Sequence, residues 1–141
     1  MVFLGDSNGK VAPVQWQSKR IKRVVKSTLA AECLALEEAV DHAYYMKCIA
    51  GEILNVDIPM HCYIDNQSLY DNLHSSNNVK EDKRLIQDIA LLKEMMEKEE
   101  IVSVTHVPSK KNLADALTKR GASCQLLEDV LSSGTMVRGV S

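Results

Sequence analysis

Apolar positions along this chain change period several times, and each change marks an element. Val2-Phe3-Leu4 and Val11-Ala12-Pro13-Val14-Gln15-Trp16 flank a polar stretch that contains Asn8-Gly9. Asn-Gly between two strand-like runs is a strong hairpin signal, because both residues tolerate positive φ. Two antiparallel strands are therefore predicted, with Pro13 at the start of the second strand or on an exposed edge. Ser27 or Thr28 can cap a long helix that runs to about residue 54. Its stripe is Leu29, Cys33, Leu36, Val40 and Ala43, at helical spacing. Asn55 and Pro59 then mark a loop.

The next run, His61-Cys62-Tyr63-Ile64, closes on Asp65, and Asn66-Gln67-Ser68 follows at once. A strand over 60–65 and a short helix over 68–74 are predicted. Ser75-Ser76-Asn77-Asn78 is a loop. A second long helix is expected over 81–98, with Leu85, Ile89, Leu92 and Met96 as its stripe. Residues 101–107 alternate as a strand, and Pro108-Ser109-Lys110-Lys111 form a turn. Asn112 can cap a helix to about Lys119, ended by Gly121. A weaker helix over 125–131 precedes a tail, from Ser132, expected to fray. A strand, crossover and strand order favours a parallel pair at 60–65 and 101–107. With the hairpin added, the fold class is α/β, a mixed sheet flanked by helices.

Composition narrows the function classes. The 141 residues suit one domain, and 45% apolar content supplies a core. No apolar run approaches the ~18 residues of a membrane span, so no membrane partner is expected. The start lacks the basic flank and long apolar stretch of a signal peptide. Cys33, Cys48, Cys62 and Cys124 show no C-x-x-C pair and read as reduced thiols, which places the protein inside the cell, in cytoplasm or nucleus. His42, His61, His74 and His106 show no ligand spacing, and His106 reads as structural. The net charge of −2 gives no global attraction to nucleic acid, so any such binding needs a local patch. Lys19, Arg20, Lys22, Arg23 and Lys26 form one, five cations in eight residues. It can hold phosphates in a salt-sensitive way, or be a solvated linker.

Three carboxylates occupy unusual positions. Glu32 lies on the inner stripe of the first helix, where burial without a partner is costly. Asp65 ends a strand, at the edge where open α/β sheets place their chemistry. Asp115 falls in a helix's first turn. Hard divalent cations take oxygen ligands and tolerate close carboxylates, and two such ions about 4 Å apart can hydrolyse a phosphodiester. The ordinary readings stand beside this one. Asp115 can favour a helix N-terminus, Asp65 can be a cap, and Glu32 can pair with a Lys or Arg. Spacing alone does not choose between them.

Four segments resemble a known family: Trp16-Gln17-Ser18-Lys19, Ser27-Thr28-Leu29-Ala30-Ala31-Glu32, Ile64-Asp65-Asn66-Gln67-Ser68 and Leu113-Ala114-Asp115-Ala116-Leu117-Thr118-Lys119. In order and spacing they look like the ribonuclease H region at the end of copia-type retrotransposon polyproteins. The resemblance implies a ribonuclease H-like domain over residues 1–121, with 122–141 as a C-terminal helix and tail. It implies cleavage of the RNA strand of an RNA–DNA hybrid by two Mg²⁺ or Mn²⁺ ions. Glu32, Asp65 and Asp115 would be the second, third and fourth members of an Asp-Glu-Asp-Asp set, catalytic and metal-binding alike.

The family's first Asp lies on a central first strand upstream of the hairpin, and this chain offers only Asp6, inside the turn signal. Without that strand and its carboxylate, activity is expected to be impaired. Its loss leaves three expectations: the hairpin closes on the Asp65 strand, a second copy pairs on an unpaired sheet edge, or an upstream reverse transcriptase segment supplies the strand. Asn66 and Gln67, beside the metal-proximal Asp, can donate to phosphate or 2′-hydroxyl groups. Lys110, Lys111, Lys119 and Arg120 flank Asp115 and add positive charge there. Trp16 reads as core or edge packing before stacking platform. The rival reading is a non-catalytic, degenerate or domesticated module that binds nucleic acid or protein.

Overall fold

A computed structural model describes residues 1–18, 20–22, 24–76, 82–118, 121 and 123–136. The chain divides into two compact units, Ile21–His106 on one side and Met1–Arg20 with Val107–Ser141 on the other.

The unit Ile21–His106 is built on helix α1, Thr28–Leu54. Ser27 starts it: its hydroxyl oxygen accepts from the Ala30 N–H at 3.1 Å, satisfying one donor the first turn would leave open. The helix ends at Asn55, which takes the left-handed conformation at φ 53°. The Val56 N–H then donates back to the Gly51 carbonyl at 3.1 Å, a Schellman closure. Gly51 is needed there, since a Cβ would sit 2.9 Å from the Val56 carbonyl oxygen. Ala30, Cys33, Leu36 and Val40 are buried, so the stripe read from the sequence is the packed face of the helix's first half. Beyond it Tyr45, Ile49 and Ile53 are exposed.

Strand β3, His61–Ile64, pairs in parallel with β4, Ser103–His106, in the register His61 with Ser103 through Ile64 with His106. Cys62 and Ile64 face the core while His61 and Tyr63 face out, the period-2 pattern of a half-buried strand. Two helices cross between the strands, α2 over Gln67–His74 and α3 over Lys83–Glu97. The α3 start lies at Asp82, whose carboxylate accepts from the Arg84 N–H at 3.0 Å; Glu81, the expected start, is outside the described residues. α1 packs against both α2 and α3. Cys33, Val40, Leu69, Leu92 and Ile101 are the most deeply buried side chains of the resulting core.

In the other unit, β1 (Val2–Gly5) and β2 (Val11–Gln15) form the expected antiparallel hairpin. The Asp6 carboxylate accepts from the N–H groups of Asn8 and Lys10, each at 2.9 Å, and Gly9 supplies a φ of 81°. A one-turn 3-10 helix, Ser109–Lys111, leads to α4, Asp115–Thr118. Helix α5, Gln125–Ser133, packs on β2 through an element that buries Leu127 and Val130.

Three expectations change. The structure is α/β, but the described strands form two separate two-stranded sheets, not one mixed sheet. No backbone ladder joins the hairpin to β3 or β4, and a ladder is a tertiary pairing that strand patterns alone do not specify. The segment after Ser132 does not fray at once. The Val11 N–H donates to the Gly134 carbonyl at 2.8 Å, and Thr135 bridges to Lys10, which ties the backbone down as far as that residue. Finally, Trp16 is 63% exposed just beyond β2, so it is not a core residue.

Candidate metal and nucleic-acid site

Asp65 directly follows β3, at the carboxyl end of the parallel pair, and is half-buried. The cap role considered for it belongs to its neighbour. The Asn66 side-chain oxygen accepts from the Leu69 N–H at 2.8 Å and starts α2. That oxygen is thereby spent on the fold, and the amide nitrogen is the part of Asn66 left to meet a ligand. Gln67 is exposed, with its amide nitrogen donating to the Asp71 carboxylate at 2.8 Å. A phosphate or 2′-hydroxyl would have to compete with that intrahelical bond, which at an exposed position is worth about 1 kcal/mol or less.

Glu32 lies in the second turn of α1, half-buried beside fully buried Cys33. Glu32 and Asp65 thus belong to the same unit, carried by its longest helix and its strand β3. Asp115 belongs to the other unit and opens α4. Asn112 organises that start: its side-chain oxygen accepts from the Ala114 N–H at 3.1 Å and its amide reaches the Asp115 carboxylate at 3.4 Å. Asp115 therefore occupies the helix-start position that also suits an ordinary N-terminal acid. Asp6 serves its turn, with one carboxylate oxygen accepting from two backbone donors.

Carboxylate oxygens are the donors a hard divalent ion takes, and in kind Glu32, Asp65 and Asp115 suit Mg²⁺ or Mn²⁺. Among the described residues, no three His, Cys, Asp or Glu side chains gather into a group that could hold a metal ion.

Of the nucleic-acid candidates, Arg20 and Lys22 are exposed and lie on a stretch without helix or strand. Lys26, in the same run, is exposed too. Lys19, Arg23 and Lys119 lie outside the described residues. Lys110 and Lys111 are exposed on the 3-10 turn that precedes Asp115.

A feature the sequence reading passed over sits near Asp65. Tyr70 of α2 lies between two imidazoles, 4.2 Å from the His74 ring and 6.2 Å, edge-on, from the His106 ring. His106 is the register partner of Ile64, so this aromatic group flanks the same strand ends as Asp65. The i, i+4 spacing of Tyr70 and His74 was the available signal. The contact with His106 depends on β3–β4 pairing and could not be read along the chain.

The thiols divide by depth. Cys33 and Cys62 are buried, and Cys48 and Cys124 are exposed. Burial pushes the Cys62 thiol up to about 11, which keeps it protonated and unreactive at neutral pH. Among the described residues, no helix is long and apolar enough to cross a membrane.

No protein-family model matches this chain, and no solved structure matches it.

Proposed function

We propose that this chain is a ribonuclease H-like domain of a copia-type retrotransposon polyprotein, acting on RNA–DNA hybrids and weak or inactive as a hydrolase by itself. The observation that carries the reading is Asp65. It stands at the carboxyl end of a parallel strand pair, with Asn66 capping the next helix, so an acidic side chain is held half-buried where the strand ends. That is the edge where open α/β sheets place their chemistry. The motif strings around Glu32, Asp65 and Asp115 supply the reaction class: hydrolysis of the RNA strand assisted by two divalent ions. Those ions would activate water and stabilise the leaving oxygen. The three carboxylates would hold the metal, and the exposed cations would hold the phosphates.

Weak hydrolysis follows from the donor set. Only three of four family carboxylates have counterparts here, and Asp6, the nearest substitute, is bound into its turn. Three carboxylates would hold two divalent ions poorly, since hard cations of this kind take several oxygen ligands each. Purified protein with Mg²⁺ or Mn²⁺ is therefore expected to leave a labelled RNA–DNA duplex essentially uncut. Robust cleavage that Asp65→Asn abolishes would overturn the inactivity and keep the family. Robust cleavage that Asp65→Asn leaves intact would remove Asp65 from the chemistry.

One observation favours a second reading, a non-catalytic nucleic-acid-binding module of degenerate or domesticated origin. The described residues gather no three-ligand metal group, while the described cations of the basic stretch, Arg20, Lys22 and Lys26, are exposed. Salt-sensitive binding of hybrid without turnover is the result that reading expects.

A further inference from the structure

We infer that the second half of α1 is a self-association face, on which a second copy of this chain packs antiparallel about a two-fold axis near Ile49. The helix changes character along its length. Its buried residues, Ala30, Cys33, Leu36 and Val40, lie in the first half, and no residue of 41–54 is buried. Yet residues 43–54 carry two charges, Lys47 and Glu52, and are otherwise apolar on every side. A helix that is apolar all round belongs under cover. Six of the thirteen exposed large hydrophobic side chains among the described residues fall here: Tyr44, Tyr45, Ile49, Ile53, Leu54 and Val56. Together they leave on the order of 600 Å² open, the top of the range for the largest apolar patch of a monomer.

The shape of the face names its occupant. Tyr45, Ile49 and Ile53 are 66%, 38% and 77% exposed and follow one another at i, i+4 spacing, which makes one ridge. Tyr44 and Cys48 make the next, and a groove runs between the two. Such a ridge fits the matching groove of an identical helix, the commonest class of helix pairing. Each copy offers both parts, which is the self-complementarity that a two-fold contact requires. Two copies would take up to about 1,200 Å² from water, the low end of specific interfaces, so the dimer is weak.

Charge argues against other occupants. Asp41 heads the Tyr45 ridge and Glu52 closes the Tyr44 one, and both are exposed. Lys47 is paired with Asp57 at 3.6 Å. An acidic rim repels nucleic acid and anionic lipid, which leaves an apolar protein surface as the fitting partner. A parallel pair would set Glu52 beside its own copy. An antiparallel pair about Ile49 separates the two by about 9 Å along the helix, and salt screens what repulsion remains. The face lies on a helix, apart from any sheet edge, and the inference does not rest on the ribonuclease H-like reading.

The test is sedimentation velocity of the full chain, with reductant, across roughly 5–500 µM, a window that brackets the affinities of small interfaces. The native chain should pass from monomer to dimer. Raising NaCl from about 0.05 to about 0.5 M should tighten the dimer a few-fold, the opposite of its effect on phosphate contacts. Ile53→Asp should weaken the dimer at least ~100-fold, because the two-fold places each substitution in the contact twice. Ile53→Leu should keep it, and so should Leu131→Asp, at an exposed apolar position of α5. Ile53 is too exposed to hold the fold together, and circular dichroism checks each variant. In Cys124→Ser, Cys48 is the one exposed thiol left, and a short bismaleimide should link two copies through it.

A chain that stays monomeric to the top of that window overturns the inference. So does a dimer that Ile53→Asp leaves intact, which puts the contact on another surface. A dimer that the bismaleimide does not link moves the axis away from Ile49 and overturns the antiparallel arrangement. Sedimentation of a monomeric chain with phosphatidylcholine vesicles, abolished by Ile53→Asp, assigns the face to lipid and overturns the inference as well.

Discussion

Cys62 makes the buried core titrate. Its thiol, on the inner face of β3, is held at about 11 by burial, against an ordinary value of 9.0. A thiol is neutral when protonated, so the fold favours the protonated form, and the unfolded chain gives up the proton first. Stability from this group is therefore complete below pH 9 and is lost as pH rises through 11. The full difference of two units corresponds to about 2.7 kcal/mol, and about 1.3 kcal/mol of it disappears between pH 8 and pH 10. For a domain whose whole stability is roughly 5–15 kcal/mol, that is a measurable share. The assay is urea unfolding followed by circular dichroism, with reductant present, for the native chain and Cys62→Ala at both pH values. Other groups also titrate there. The Tyr44 hydroxyl, pushed up by Cys48 first and by Glu100, and the Lys98 ammonium, pushed up by its bond to Glu94, are present in both proteins and cancel in the comparison. The native chain should lose about 1.3 kcal/mol more than Cys62→Ala over this interval. Equal losses would show that the thiol is solvated and that the β3–β4 pair does not bury it.

Two further outcomes test the same unit. Leu92→Ala removes one of the most deeply buried side chains, 1% exposed, and should lower the unfolding free energy by about 3 kcal/mol in urea titration; a loss under ~1 kcal/mol would mean that α3 is not packed as described. Ser27→Ala removes the oxygen that accepts from the Ala30 N–H and should cost about 1 kcal/mol, with hydrogen exchange accelerated in the first turn of α1 and unchanged near Gly51.

The elements were legible because each is written in local chemistry. Ser27 can accept from the open backbone donors of a helix start, and Asn55 suits the loop that follows the helix. Asn8-Gly9 fits a tight turn, and the alternation across residues 61–64 fits one buried face. The parallel pairing of β3 with β4 was also within reach, since a crossover long enough to hold two helices leaves few other arrangements. The positions of Asp65 and Asp115, at a strand end and a helix start, follow from the same local rules. Their roles do not. Asn66 takes the capping work considered for Asp65, and Asn112 caps the segment before Asp115 as its position suggested.

What the chain determined alone was its set of helices and strands, its burial stripes and its one dense run of positive charge, because propensity, periodicity and charge are properties of neighbours in sequence. Tertiary structure decided the rest: that the strands form two small sheets, that Thr135 ties back to Lys10, that Tyr70 meets His106, and that Trp16 stands in solvent. Each of these joins residues far apart along the chain, or depends on what fails to cover a side chain. A hydrogen-bond ladder or a buried ring is won by competition among distant segments, and that competition leaves no periodic trace in the order of the residues.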